Sequence, residues 1–273
     1  MILGMNELQI RLLNMMKWLH SFCERNNITY YICGGTMLGA IRHKGFIPWD
    51  DDIDISLPRQ DYEKLLKLLE KPIDNYYIES PYSCKKDFPY SFGKLYNINT
   101  TLTEELRKPF TRGVFIDIFP MDGLGNNEKK LKRICNKSKR LYALYISKVA
   151  FINKKRSWYK NLLVLLSRLI PYSEKSVQRR ALKLDKFRQS YSYNLSKYVA
   201  VLGAARQETE IMKKSVYGKP TLYSFEDSYF YGPEDFDFYL KHKYGDYMKL
   251  PPKDKQVEHA LNNIDFNKGW MNK

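Results

Sequence analysis

Between residues 5 and 25 the apolar positions Leu8, Leu12, Met15, Leu19 and Phe22 recur every three or four residues, which lines them along one face of an amphipathic helix. The period then shortens. ITYYIC (28–33) is β-branched and aromatic and predicts a buried strand. It runs into Gly34-Gly35-Thr36 and a short helix over MLGAIRHKG that ends at Gly45. After Pro48, DIDISL (52–57) alternates acid and aliphatic and predicts a second strand; Pro58 then opens a helix with Tyr62, Leu65, Leu66 and Leu69 on one side. Further strands are expected over 75–80, 91–98, 101–106 and 113–119. From about residue 127 the helical period returns through Leu131, Ile134, Cys135, Leu141, Tyr145 and Val149, and 158–170 and 174–191 predict two more helices. The stretch 230–252 predicts one short helix between loops. The expected architecture is α+β: a mixed sheet flanked by helices over 1–126, a helical insert over 127–215, and the C-terminal part of the first domain over 216–273.

Composition refines this picture. Hydrophobic residues make up 44% and aromatics 15% of the 273 residues, so the chain has the material for a real core. Four scattered cysteines without a CxxC pair and four dispersed histidines without HExxH argue against a zinc site or a disulfide framework, and suit a reducing compartment. The N-terminal stretch lacks a basic segment and a small-residue cleavage site, and no apolar run approaches the ~20 residues of a membrane span. A cytoplasmic protein is expected. The charge of +16 is uneven: residues 126–200 hold 20 Lys/Arg against three acids, leaving 26 basic and 27 acidic residues elsewhere. A nearly neutral body thus carries one strongly basic segment.

The chemistry concentrates in GFIPWDDDIDISLP (45–58), where Asp50, Asp51, Asp52 and Asp54 fall within five positions among Trp49, Ile53, Ile55 and Leu57. Crowded carboxylates beside apolar groups need a cation. On a strand, Asp52 and Asp54 share one face while Ile53 and Ile55 turn to the core. A calcium loop fails because its glycine position is Ile55 and its twelfth ligand is Asp61. A glycosidase pair fails because its carboxylates must flank a sugar from opposite sides. Gly34-Gly35-Thr36, between strand and helix, offers backbone N–H groups as a phosphate seat. Asp117, alternating with Phe115, Ile116, Ile118 and Phe119, is costly to bury alone, and a metal held jointly with Asp52 and Asp54 removes that cost. Asp122 reads as a local cap in the following turn.

Gly-Gly, then Asp-x-Asp on the next strand, then a third Asp on a later strand resembles the active site of the nucleotidyltransferase superfamily. The longer string GGTMLGAIRHKGFIPWDDDIDI (34–55) resembles the LicD family, which includes bacterial phosphocholine transferases of cell-surface glycans and is related to fukutin and fukutin-related protein. FGKLYN around Lys94, GVFIDIFPMDG around Asp117 and YLKHKYGDYMKLPP, leading to His259, continue the likeness over about 28–122 and 228–260.

The resemblance implies a nucleotidyltransferase-like fold. It implies transfer of a phospho-alcohol unit, phosphocholine first, from CDP-choline or another CDP-alcohol donor to a sugar hydroxyl of a glycan or lipid-linked glycan, releasing CMP. Mg²⁺ or Mn²⁺ would bind Asp52, Asp54 and Asp117, with Asp50 at a family acidic position; Asp117 would also draw the hydroxyl proton, and Asp51 would orient the loop. Gly34, Gly35 and Thr36 would seat the diphosphate. Arg42, Lys44 and Lys94 are candidates to neutralise phosphate oxygens, and the resemblance places His259 near the site. The alternative is a metal-dependent nucleotidyltransferase acting on RNA or a small molecule, although the long string favours the first reading and nucleic acid is not the expected partner. For 127–200 two readings stand: a helical cover with a solvated basic face, or peripheral contact with the anionic inner face of the cytoplasmic membrane.

Overall fold

A computed structural model describes residues 5–83, 87–152, 158–169, 171–202, 207–252, 256 and 261–271. Asn6 starts the first helix, α1 (Glu7–Arg25), with a capping box: its side chain accepts from the Gln9 N–H at 2.9 Å, and the Gln9 side chain accepts from the Asn6 N–H. All five apolar positions of the predicted face are buried. There follow β1 (Tyr31–Ile32), α2 (Gly34–Arg42), β2 (Asp54–Pro58), α3 (Arg59–Leu68), β3 (Tyr76–Glu79), β4 (Gly93–Asn97), β5 (Thr101–Glu104), β6 (Phe110–Arg112) and β7 (Phe115–Gly123). Then come α4 (Glu128–Val149), α5 (Trp158–Ser167), α6 (Glu174–Arg188), β8 (Tyr198–Ala200), β9 (Met212–Lys213), α7 (Lys214–Tyr217), β10 (Thr221–Phe225), β11 (Ser228–Gly232), α8 (Phe236–Tyr244) and β12 (Leu261–Asp265).

The main sheet is mixed, in the order β1-β2-β7-β4-β3, with β8 paired to the end of β7 and β9 to β8. Only β2 and β7 among these pairs run parallel. β10 and β11 form a hairpin, and β12-β5-β6 a small separate sheet. The fold is α+β, as expected. One large core joins α1, the sheet and α8, with Ile53, Ile55, Leu57, Leu95, Ile116 and Ile118 all fully buried.

Helices α4 and α6 pack on one another through a satellite cluster of Tyr145, Val149, Val177, Ala181 and Leu184. An ion cluster ties α6 to the sheet. The Arg59 guanidinium donates to both Asp122 oxygens at 2.7 Å and to Asp185 at 2.8 Å, while Tyr82 and Gln189 also donate to Asp185. Burial works against the Arg59 charge, but Asp122 and Asp185 outweigh it and hold the guanidinium protonated. Asp122 is therefore no turn cap: β7 runs through Pro120 to Gly123, and Asp122, 1% exposed, is half of a bidentate pair.

Other elements depart from the sequence pattern for local reasons. Only Tyr31 and Ile32 of the predicted first strand pair, since in this antiparallel register residues 28–30 would face Leu57, Pro58 and the start of α3; β2 begins at Asp54 and leaves Asp52 in the lead-in loop. The β10–β11 hairpin turns on Glu226-Asp227, with Glu226 at φ 54°, a left-handed position that usually announces itself by Gly or Asn. Glu226 is held there by its contacts: its N–H donates to the Lys44 carbonyl at 2.7 Å, and its carboxylate accepts from the Phe46 N–H at 2.9 Å. β6, β8 and β9, two or three residues each, are too short to show a period.

Candidate active site

The site grows from the register of three strands. Asp54 on β2 pairs with Asp117 on β7, and Asp117 pairs with Lys94 on β4, so the three side chains form one row across the sheet. The Lys94 ammonium, only 2% exposed, stands 2.9 Å from both Asp117 and Glu104 and 3.3 Å from the centre of the Phe115 ring. Burial pushes the Asp117 carboxyl up to about 6; Lys94 opposes this shift, while Glu104 and Asp52 add to it. Part of the cation that a buried Asp117 demands is thus supplied by the chain itself. Lys94 faces carboxylates inside the sheet and is not displayed at the surface.

The two glycines at the start of α2 make room for acids. Gly34 has φ +57°, and a Cβ there would stand 2.9 Å from an Asp54 carboxylate oxygen; a Cβ on Gly35 would stand 2.9 Å from an Asp50 oxygen. Thr36 Oγ1 accepts from the Asp54 N–H at 2.9 Å, and the Cys33 N–H donates to the Asp54 carbonyl at 3.0 Å, so α2 and β2 are stitched together here. The Gly34 N–H, a free donor of a helix start, donates to the Tyr239 hydroxyl of α8 at 3.0 Å. Gln9 of α1 braces the acidic loop by donating to the Asp50 carbonyl at 2.9 Å. Carboxylate oxygens of Asp50, Asp51 and Asp52 lie within 4.8 Å of one another, so Asp51 joins the cluster.

Beside this edge lies a cleft of about 300 Å³ lined by Gly34, Gly35, Asp54, Phe119, Thr209, Glu210, Lys243 and Tyr244, among others. Lys243 pairs with Glu210 at 2.6 Å; burial lowers its basicity, but Glu210 more than restores it and keeps the ammonium charged. Lys243 and Tyr244 were not foreseen. Their signal lay in YLKHKY, where Tyr239 and Leu240 are buried and Lys243 and Tyr244 follow one turn later on the same side. A larger cavity of about 780 Å³ near Leu66, Tyr77, Tyr82 and Gln189 contains none of these aspartates, so volume is no guide to the chemistry here.

The remaining predicted residues sit elsewhere. Arg42, at the far end of α2, donates to the Tyr247 carbonyl at 2.9 Å and so clamps the C-terminal loop. Lys44 is exposed at φ 60°, with its carbonyl engaged by the hairpin. His259 lies outside the described residues.

Comparison with known proteins adds a likeness in sequence. Residues 27–142 match the family model described as LicD/FKTN/FKRP, nucleotidyltransferase domain. The chain is 29% identical over 267 residues to the lipopolysaccharide cholinephosphotransferase LicD of Haemophilus influenzae, an alignment covering 95% of this chain and 97% of that protein. An uncharacterized protein of Rickettsia prowazekii is 45% identical over 60 residues, covering 22% of this chain and 23% of the other. The chain is thus similar to the LicD family, by the family model over 27–142 and by the cholinephosphotransferase along nearly its whole length.

Proposed function

We propose that this chain transfers a phospho-alcohol unit, phosphocholine first, from a CDP-linked donor to a sugar hydroxyl of a cell-surface glycan or its lipid-linked precursor, releasing CMP. The observation that carries this reading is the register of Asp54 with Asp117 beside a cleft floored by Gly34 and Gly35. Likeness along nearly the whole chain to a lipopolysaccharide cholinephosphotransferase supports it.

The donor set is anionic oxygen throughout, which suits a hard divalent ion, Mg²⁺ or Mn²⁺. The crowding of Asp50, Asp51 and Asp52 oxygens within 4.8 Å fits a jointly held cation. Asp52, Asp54 and Asp117, with Asp50, would hold it; of these, Asp50 and Asp52 belong to the close group, while Asp54 and Asp117 stand in register on β2 and β7. Bound there, the ion would offset the charge on the donor phosphates as the transferring bond loosens.

The chain's own residues do the rest. The acceptor oxygen attacks the phosphorus that bears the alcohol, the bond from that phosphorus to the bridging oxygen breaks, and CMP leaves with the electron pair. The hydroxyl proton passes to a carboxylate, for which Asp117 is the candidate: raised to about 6, it is a stronger base than an ordinary aspartate yet still ionised at neutral pH. Lys94 fixes its orientation. Lys243, kept protonated by Glu210, brings a cation to the cleft wall, where a donor phosphate would lie.

The test is incubation with CDP-choline, CDP-ribitol and CDP-glycerol in turn, with Mg²⁺ and a glycan acceptor, measuring CMP. Release from CDP-choline is expected. No release from any of the three, together with pyrophosphate release from a nucleoside triphosphate, would replace this reading with that of a nucleotidyltransferase.

A further inference from the structure

Helix α5 faces the wrong way for a helix of a globular core. At 100° per residue, Trp158, Tyr159, Leu162, Leu163, Leu165 and Leu166 fall within one arc of about 160°. Every one of them is exposed, from 45% for Leu162 to 78% for Trp158, and Leu169 in the following turn is 82% exposed. Buried Val164 projects from the opposite side, which also carries Asn161. The neighbouring helices α4 and α6 do the reverse and bury their apolar faces against each other. A contiguous apolar face this broad marks a contact surface.

Charge identifies the occupant. The face sits within the segment 126–200, which carries 20 Lys/Arg against three acids; Lys154, Lys155 and Arg156 precede the helix in the chain and Arg168 follows it. A second copy would set one strongly basic segment against another. A nucleic acid would answer the charge but offer no bed for four leucines. An anionic bilayer surface answers both, with acyl chains for the leucines, an interface for tryptophan and tyrosine, and headgroups for the basic side chains. Ten residues of helix span about 15 Å, half a bilayer core, and no helix among the described residues is long and apolar enough to cross a membrane. Contact is therefore parallel to the surface.

We infer that α5 is a membrane-docking helix that seats the protein on an anionic lipid surface. This stands apart from the catalytic proposal, since α5 contributes nothing to the cleft. The test uses the full chain, co-sedimented with vesicles of phosphatidylglycerol and phosphatidylcholine and with vesicles of phosphatidylcholine alone at one ionic strength. Binding to the anionic vesicles is expected, weakened at least tenfold by combined Trp158→Ser, Leu162→Ser and Leu166→Ser substitutions and unchanged by Leu195→Ser, an exposed leucine off the helix. If the triple variant does not fold, brominated lipids provide a second readout: tryptophan fluorescence should be quenched in the wild type, and quenched less in Trp158→Phe. Absence of vesicle binding, equal binding by the folded triple variant, or equal quenching in Trp158→Phe overturns the inference. So does self-association or RNA binding through α5 without vesicle binding.

Discussion

Strand β7 carries two buried acids with opposite fates. Asp117 and Asp122 are five positions apart and so emerge on opposite faces of the sheet. Asp122 enters a balanced group: two carboxylates, Asp122 and Asp185, meet the guanidinium of Arg59, with Arg188 buried alongside and donating to the Ser91 carbonyl at 3.0 Å. Asp117 instead shares the Lys94 ammonium with Glu104 at 2.9 Å each, with Asp54 in register beside it, and the oxygens of Asp50, Asp51 and Asp52 crowd within 4.8 Å of one another. Both arrangements put charge inside a sheet. A balanced cluster cross-links elements, whereas the crowded acids are the groups to which the proposed ion is assigned.

Substitutions should separate the two. Asp54→Ala is expected to reduce CMP release to background while the melting temperature stays level or rises, because a crowded charge has been removed. Near-wild-type release would end the metal assignment. Arg59→Met should do the opposite, leaving two buried carboxylates without their guanidinium and lowering stability by about 3–5 kcal/mol in urea unfolding. A loss under about 1 kcal/mol would mean that the cluster is not structural. Asp117→Asn keeps shape but not basicity and should cost about 10²–10⁴-fold in turnover, with donor affinity reduced less than in Asp52→Ala. Equal affinity losses in both variants would make Asp117 a plain ligand and pass the role of base to Asp50. Gly35→Ala should cost least, about 1 kcal/mol of stability, because its Cβ would push on the Asp50 carboxylate 2.9 Å away. Weakened Mn²⁺ binding by calorimetry is the expected signature, and unchanged binding would remove Asp50 from the ion site.

What could be read in the chain, and what could not, follows from range. Helices α1, α3, α4 and α6 announce themselves by period, and the acids of 50–54 by crowding. The alternation of buried Ile53 and Ile55 with half-exposed Asp52 and Asp54 was legible although Asp52 lies before the strand. Lys94 was visible as a charge, but its setting depends on Glu104 ten residues later and on a register with Asp117 that only the sheet creates. Asp122 was misjudged because the strand expected to end at Phe119 in fact continues to Gly123. Lys243 and Tyr244 were passed over because their relation to Asp54 is wholly tertiary, through a cleft wall made nearly two hundred residues away in the chain.

That distance has a consequence for how the protein comes into being. Gly34 at one end of α2 is tied to Tyr239, 205 residues later, and Arg42 at the other end to the Tyr247 carbonyl, again 205 residues later. A ribosome adding about 5–20 residues per second needs about 10–40 s to bring those anchors out. Throughout that interval the acidic loop and the glycine turn exist on the nascent chain without the segment that braces them. The catalytic edge is therefore among the last parts of the molecule to be completed, and a chain cut short before Tyr239 would carry every aspartate of the site with no finished place to use them.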